Sequence, residues 1–113
     1  MDARTLEALK ASIAKWERNA VAERAFDYLT TATDCPLCRL FFHNGCLGCP
    51  VFDHTEEDCC NSTPYEAAAD AAVDWEYHND RDLPSETARD KAHAAARAEV
   101  AFLKSLLPPE EAQ

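Results

Sequence analysis

The cysteines are confined to one part of the chain, and this constrains the fold more than any other feature of the sequence. All six lie between positions 35 and 60, together with both glycines. Four of them form two Cys-x-x-Cys pairs, Cys35 with Cys38 and Cys46 with Cys49. Each pair can place two sulfur atoms on one tight turn, as a tetrahedral metal site requires. The sequence therefore predicts a compact metal-binding module.

The segment before this module has helical periodicity. In residues 3–20, apolar side chains recur at steps of three and four from Leu6 to Trp16, and Lys15 falls off this stripe. We expect the stripe to pack in the core of the same chain. A bend or short break near residues 19–22 would accommodate the change of apolar register that follows.

The segment after the module contains the clearest helix start in the sequence. Thr63 is a predicted N-cap, Pro64 the first helical residue, and Glu66 the acidic member of a capping box. This helix should run to about His78. An alanine-rich helix over residues 84–107 should follow it and end before two prolines.

Within the module, Asp34 is a predicted N-cap of a short helix that reaches about Phe42. Residues 46–50 form a predicted knuckle loop in which glycine supplies positive φ angles. Residues 51–52 are expected to be extended, and residues 53–58 to form an acidic loop.

The whole chain is therefore a predicted single domain of mostly α class. We expect a small bundle of three main helices, with the cysteine-rich metal-binding loop module between the first and second. The predicted parts are an N-terminal helical region, the module, two C-terminal helices and a frayed tail, at residues 1–33, 34–62, 63–107 and 108–113 of the 113.

The redox state of the cysteines depends on the compartment. The first residues lack an apolar secretion signal, and no apolar run is long enough to cross a bilayer. We therefore expect a cytoplasmic protein, in which thiols stay reduced and disulfides are rare. This favours metal or redox chemistry over a disulfide framework.

Structural zinc is the predicted cofactor, because four thiolates satisfy its tetrahedral coordination. An iron–sulfur cluster is an alternative, and metal-free thiols or disulfides are another. His43 and His54 could substitute for a thiol. One zinc ion needs only four ligands, so the choice among the thiols stays open. The candidate metal ligands are Cys35, Cys38, Cys46, Cys49 and Cys60.

Charge is distributed unevenly along the chain. The net charge is −10, and residues 40–80 contain nine Asp and Glu side chains but no Lys or Arg. Direct binding to nucleic acid requires a basic face and is not expected. Docking on a basic surface of another protein is expected instead. The candidate contacts are Glu56, Glu57, Asp58, Glu66, Asp70, Asp74 and Asp80.

Several stretches together resemble a family of small cysteine-rich proteins of bacteriophages. They are LKASIAKWERN, DCPLCRLFF, CLGCPVF, CNSTPY and EVAFLKSLLP. The resemblance covers most of the chain and its pattern includes Cys60, whereas Cys59 looks like a local addition. It implies a phage protein that acts in the cytoplasm of a host cell. By analogy with other small acidic phage proteins, it implies an inhibitor that binds host machinery such as a nucleic-acid-binding defence complex, as anti-CRISPR proteins do.

Three functional hypotheses follow. The first is a non-enzymatic, zinc-stabilised acidic protein that docks on a basic host macromolecule. The second is a thiol- or metal-dependent enzyme, although no strand precedes Cys35 as in thiol-redox folds, and no base or oxyanion donor can be identified. The third is a structural homo-oligomer, for example a homodimer, that associates through the stripe from Leu6 to Trp16.

Overall fold

The computed structural model describes residues 1–31, 34–41, 45–56, 60 and 62–111. The described residues form five α-helices and no strand. The prediction of a mostly α chain with three main helices and an intervening cysteine-rich module is confirmed. The helices are α1 (Ala3–Asn19), α2 (Pro36–Phe41), α3 (Pro50–Thr55), α4 (Tyr65–Asp80) and α5 (Glu86–Lys104), with single 3-10 turns at Ala25–Asp27 and Pro109–Glu111.

A side chain at each end of helix α1 binds the backbone of another residue, and the one at the N-terminus caps the helix. The Asp2 carboxylate accepts a hydrogen bond from the Thr5 amide at 2.8 Å. At the other end, the Asn19 side chain donates to the Leu29 carbonyl at 2.8 Å and accepts from the Leu29 amide at 2.9 Å. Asn19 is therefore both the end of the helix and the anchor of the following loop, which confirms the predicted break.

Three aromatic residues from different parts of the chain join in the core. The ring of Tyr28 lies 6.0 Å from that of Trp16 and 6.0 Å from that of Trp75, edge to face in both pairs. The Tyr28 hydroxyl donates a 2.7 Å hydrogen bond to the Ala92 carbonyl. This one residue therefore connects α1, α4 and α5.

Helices α1 and α5 run antiparallel. Lys10 pairs with Glu111 at 2.9 Å, and Glu17 pairs with Lys104 at 3.7 Å, so later positions of α1 meet earlier positions of the C-terminal segment. Buried alanines on α5, including Ala92 and Ala96, allow its neighbours to approach closely.

The predicted stripe on α1 is confirmed as core. Leu9, Ile13 and Trp16 are all buried within the single chain. The contact on which the homo-oligomer hypothesis depended is therefore already occupied by the chain's own α5 and aromatic residues.

Three local predictions in the module are wrong. Residues 51–52 are not extended and residues 53–55 are not part of a loop, because α3 begins at Pro50 and contains residues 51–55. Proline fits the first helical turn, where no amide donor is needed. The N-cap of α2 is not Asp34: the Cys38 amide donates to the Cys35 sulfur at 3.4 Å, while the Asp34 carboxylate accepts from the Thr31 hydroxyl at 2.6 Å.

The start of α4 also differs in detail from the predicted capping box. The helix begins at Tyr65, and the Thr63 hydroxyl accepts from the Tyr65 amide at 3.2 Å. The Glu66 carboxylate reaches back to the Ser62 amide at 3.2 Å rather than to that of Thr63. In the structure, the amide that Glu66 binds is therefore one residue before the one that the sequence pattern predicts. The same Thr63 hydroxyl donates to the Cys60 carbonyl at 2.6 Å, which links α4 to the module.

Candidate metal centre

A cavity of about 290 Å³ lies between the cysteine-rich module and the helical bundle. Helices α1, α4 and α5 contribute to its walls, and the module covers it. Each of the five predicted metal ligands lines this single cavity: Cys35, Cys38, Cys46, Cys49 and Cys60. The fold therefore brings together thiols that are up to 25 positions apart in the sequence.

Cys35 and Cys38 form a hydrogen-bonded pair at the start of α2. Hydrogen bonds from the Cys38 thiol and then its amide lower the pKa of Cys35, and the positive charge of Lys15 acts in the same direction. The same thiol contact and burial raise the pKa of Cys38. The pair is therefore arranged so that Cys35 is the more readily ionised sulfur, which is the form that binds metals.

Cys46 and Cys49 are held by a tight turn. The Cys46 amide donates to the Phe41 carbonyl at 2.9 Å, and the Cys49 amide donates to the Cys46 carbonyl at 3.0 Å. Gly48 adopts a φ of +90°, and a Cβ atom there would lie 3.2 Å from the Phe41 ring. Both the backbone conformation and the close ring contact therefore require glycine at this position.

Cys60 completes the thiol set of the cavity. It adopts a φ of +59°, which is unusual for a residue with a side chain, and the Thr63 hydroxyl holds its carbonyl. Burial raises the pKa of both Cys60 and Cys49. A bound cation would reverse this effect, because a coordinating thiol is deprotonated by the metal charge.

Three buried polar residues that the sequence patterns did not single out as site residues also line the cavity. Lys15 is only 3 % exposed, Glu99 is 3 % exposed and Ser12 is 1 % exposed. Lys15 falls off the apolar stripe of α1, as the sequence indicated, but it is nevertheless buried. Buried positions recur at steps of three and four along this second side of α1, but most of these residues are polar, so no apolar pattern marked the side in the sequence: Thr5, Ala8, Ser12, Lys15 and Asn19.

Burial raises the pKa of Glu99 to about 7, with a further contribution from the negative charge of Cys35. Neither Glu99 Oε1 nor Ser12 Oγ has a hydrogen-bond partner among the described residues, although both atoms are buried. Glu99 lies on the same face of α5 as Ala92, Ala96 and Leu103, all buried. Its position in that stripe marks it as a core residue.

Two candidate ligands fall elsewhere. The ring of His54 packs edge to face on that of Phe102 at 5.7 Å, and His54 does not line the cavity. His43 lies outside the described residues, as does Cys59. Within the described part of the chain, no group of three or more Cys, His, Asp or Glu side chains is arranged so that it could hold a metal ion.

The predicted acidic contacts divide between two elements. Glu66, Asp70, Asp74 and Asp80 are all exposed on α4. Glu56 is exposed at the C-terminal end of α3, where it adopts a φ of +60°. Glu57 and Asp58 lie outside the described residues.

The comparisons with known proteins are negative. No family model, no curated protein and no solved structure matches the chain. Its site is therefore interpreted from its own geometry.

Among the described helices, none combines the length and the apolar composition that crossing a bilayer requires.

Proposed function

We propose that this chain is a non-enzymatic binding protein whose α4 helix docks on a basic surface of another macromolecule. The observation that carries the proposal is the outer face of α4. Glu66, Asp70 and Asp74 follow one another at steps of four, so their side chains lie on one side of the helix. That side is opposite the buried Ala68, Ala72 and Trp75, and no Lys or Arg occurs in residues 40–80.

Two apolar side chains are exposed within this acidic face. Val73 is 67 % exposed and Tyr77 is 50 % exposed, and helical geometry places both beside the carboxylates. The Arg81 guanidinium lies 3.9 Å from the centre of the Tyr77 ring and covers one of its faces. Interfaces commonly combine a central aromatic anchor with a polar rim. The face therefore fits a partner that presents Lys or Arg side chains around an apolar patch, rather than a uniformly basic polymer.

The resemblance to small phage proteins suggests which class of host protein offers such a surface. Proteins that bind nucleic acid have basic grooves for the phosphate backbone. We infer that the α4 face occupies a groove of this kind in a host defence complex and thereby prevents nucleic-acid binding. The inhibition is competitive on this reading, because protein carboxylates and phosphates would occupy the same positive side chains.

The metal has a structural role in this proposal. Four of the five cavity thiols would bind one zinc ion, and the chelate would fix the module against α1, α4 and α5. A 113-residue chain with an alanine-rich core gains from such a cross-link, because alanine buries little apolar area. Zinc would supply folding free energy here and take part in no reaction.

The docking proposal is tested with a variant that neutralises three carboxylates, Glu66→Gln, Asp70→Asn and Asp74→Asn. Purified RNA-guided defence complexes are incubated with wild type or variant, and their binding to labelled target DNA is measured by fluorescence anisotropy. We expect wild type to reduce DNA binding by a susceptible complex and the variant to be at least tenfold less potent. The inhibition should also weaken as salt rises, because exposed charges are screened.

The matched control neutralises three exposed acidic residues away from α4, Glu23→Gln, Glu86→Gln and Asp90→Asn. It has the same net charge as the test variant and should inhibit like wild type. Equal loss of inhibition in both variants would mean that inhibition depends on the overall charge of the protein rather than on the α4 face. Wild-type potency in the α4 variant would refute the proposed docking face.

The metal proposal is tested by elemental analysis of the native protein with titration of its thiols. We expect one zinc ion per chain, and a lower melting temperature after treatment with a strong chelator. Visible absorption from bound iron would favour a cluster instead. Protein that contains no metal and whose melting temperature does not respond to added zinc would refute the site.

A further inference from the structure

Lys15 is a buried ammonium group on the wall of the thiol cavity. Its side chain leaves the middle of α1, it is 3 % exposed, and its Nζ lies 5.1 Å from the centre of the Trp16 ring. No carboxylate lies within ion-pair distance of it in the part of the chain that is described. A buried ammonium is costly unless an opposite charge faces it.

The negative groups that act most strongly on Lys15 are mostly cysteines, and the Glu99 carboxyl on the same cavity wall also interacts with it. Burial lowers the pKa of Lys15, and the charge of Cys35 opposes this more than any other group, followed by Asp34, Cys38 and Cys60. Three of these four groups are thiols of the same cavity. The ammonium is therefore positioned where it is stabilised when the thiols become thiolates.

We propose that Lys15 is the counter-charge of the metal centre, and that its ammonium faces the bound thiolates and neutralises part of their charge. This inference depends on the metal proposed above. Four thiolates and one divalent ion have a net charge of −2. With Lys15 the buried centre has a net charge of −1, which lowers the cost of enclosing it in the protein.

A separate observation concerns the polar atoms of the cavity wall. Glu99 Oε1 and Ser12 Oγ are buried in its wall and have no hydrogen-bond partner among the described residues. Unpartnered buried oxygens are rare in folded proteins. An apolar guest would leave them unpaired, whereas a charged metal–thiolate centre with Lys15 beside it gives the wall polar groups to face.

The test compares zinc affinity in wild type, Lys15→Met, Lys15→Arg and Lys91→Met. Methionine removes the charge but keeps an unbranched side chain of high helix propensity. Lys91 is an exposed lysine of α5 and provides the control for loss of a positive charge. Affinity is measured by competition with a chromophoric chelator, and cobalt substitution reports the thiolate coordination by its absorption.

We expect zinc affinity to fall about tenfold or more in Lys15→Met, in line with other residues that support metal ligands from outside the coordination shell. Lys91→Met should stay within about twofold of wild type, and Lys15→Arg, which keeps the charge, should stay closer to wild type than Lys15→Met. In the metal-free protein, the same substitution should not lower the melting temperature. Lys15→Met should then melt at the same or a higher temperature than wild type, because the buried ammonium no longer faces bound thiolates.

The outcomes separate this inference from the metal proposal. Wild type that binds no zinc would overturn both. Wild type that binds zinc, with unchanged affinity in Lys15→Met, would overturn only the role of Lys15. A fall in melting temperature that is equal with and without zinc would assign Lys15 to core packing. Equal loss of affinity in the methionine and arginine variants would mean that shape, not charge, is what the cavity requires.

Discussion

Tyr28 offers the most direct test of how the bundle is held together. Its side chain is 3 % exposed, and its hydroxyl donates a 2.7 Å hydrogen bond to the carbonyl of Ala92, 64 positions along the chain. The variant Tyr28→Phe removes this hydrogen bond and keeps the ring contacts with Trp16 and Trp75. The change in stability therefore measures one connection between the loop after α1 and the middle of α5.

The magnitude follows from the position of the acceptor. Ala92 lies inside α5, so its carbonyl also accepts the helical hydrogen bond from residue 96 and is not left unpaired. The loss should therefore be close to that of one neutral hydrogen bond, about 1 kcal/mol. Tyr28→Leu also removes two edge-to-face ring contacts and should cost about 3 kcal/mol in total.

The free energy of unfolding is measured by urea denaturation followed by tryptophan fluorescence, together with the melting temperature. A loss of ~1 kcal/mol corresponds to a decrease of roughly 4 °C in a domain of this size. Tyr77→Phe is the matched control, because Tyr77 is half-exposed on α4 and should have almost no effect. Equal stability of Tyr28→Phe and wild type would refute the role given to this hydrogen bond.

Three further predictions concern the module, its link to α4 and the tyrosines. Gly48→Ala should lower the free energy of unfolding by about 1–3 kcal/mol, because alanine would have an unfavourable positive φ and a close contact with Phe41. Gly45→Ala is the control: its Cβ would have open space, so it should lower the melting temperature less. Thr63→Val should lower the free energy of unfolding by ~1 kcal/mol, because it removes the hydrogen bonds of the hydroxyl with Cys60 and Tyr65. Thr87→Val, on the exposed side of α5, is the control and should leave the urea midpoint nearly unchanged. Burial raises the pKa of Tyr28 in the folded chain. The neutral hydroxyl therefore contributes stability that is fully present below the ordinary tyrosine pKa near 10. This contribution should be lost as the pH rises above that value. Urea midpoints should therefore decrease in alkali, and less steeply in Tyr28→Phe; equal slopes in the two proteins would contradict this.

The long helices could be predicted from the sequence because their determinants are local. Apolar residues that recur every three or four positions predicted α1. The Thr63–Glu66 pattern predicted the start of α4 to within two residues. The short helix α3 could not be predicted in this way. It has six residues, too few for a periodic pattern, and only the proline at its first position indicated a helix start.

The site was only partly predictable for a different reason. The five thiols were identified because metal ligands require particular residue types at particular spacing. Lys15 and Glu99 were missed because a charged residue within an amphipathic helix is normally assigned to the solvent side. Their burial depends on which helices meet below the module, and that is a property of the tertiary fold.

The metal module and the acidic face are physically connected, so the two proposed roles are not independent. The Thr63 hydroxyl binds the carbonyl of Cys60 on one side and the amide of Tyr65 on the other. The Tyr65 hydroxyl in turn donates to the Thr30 carbonyl at 2.5 Å and its ring packs on Trp16, so the first turn of α4 is anchored to the cavity wall. A metal that fixes Cys60 would therefore also fix the end of α4 that presents Glu66. Metal removal should then weaken docking through a less ordered helix start, even though no thiol touches the partner.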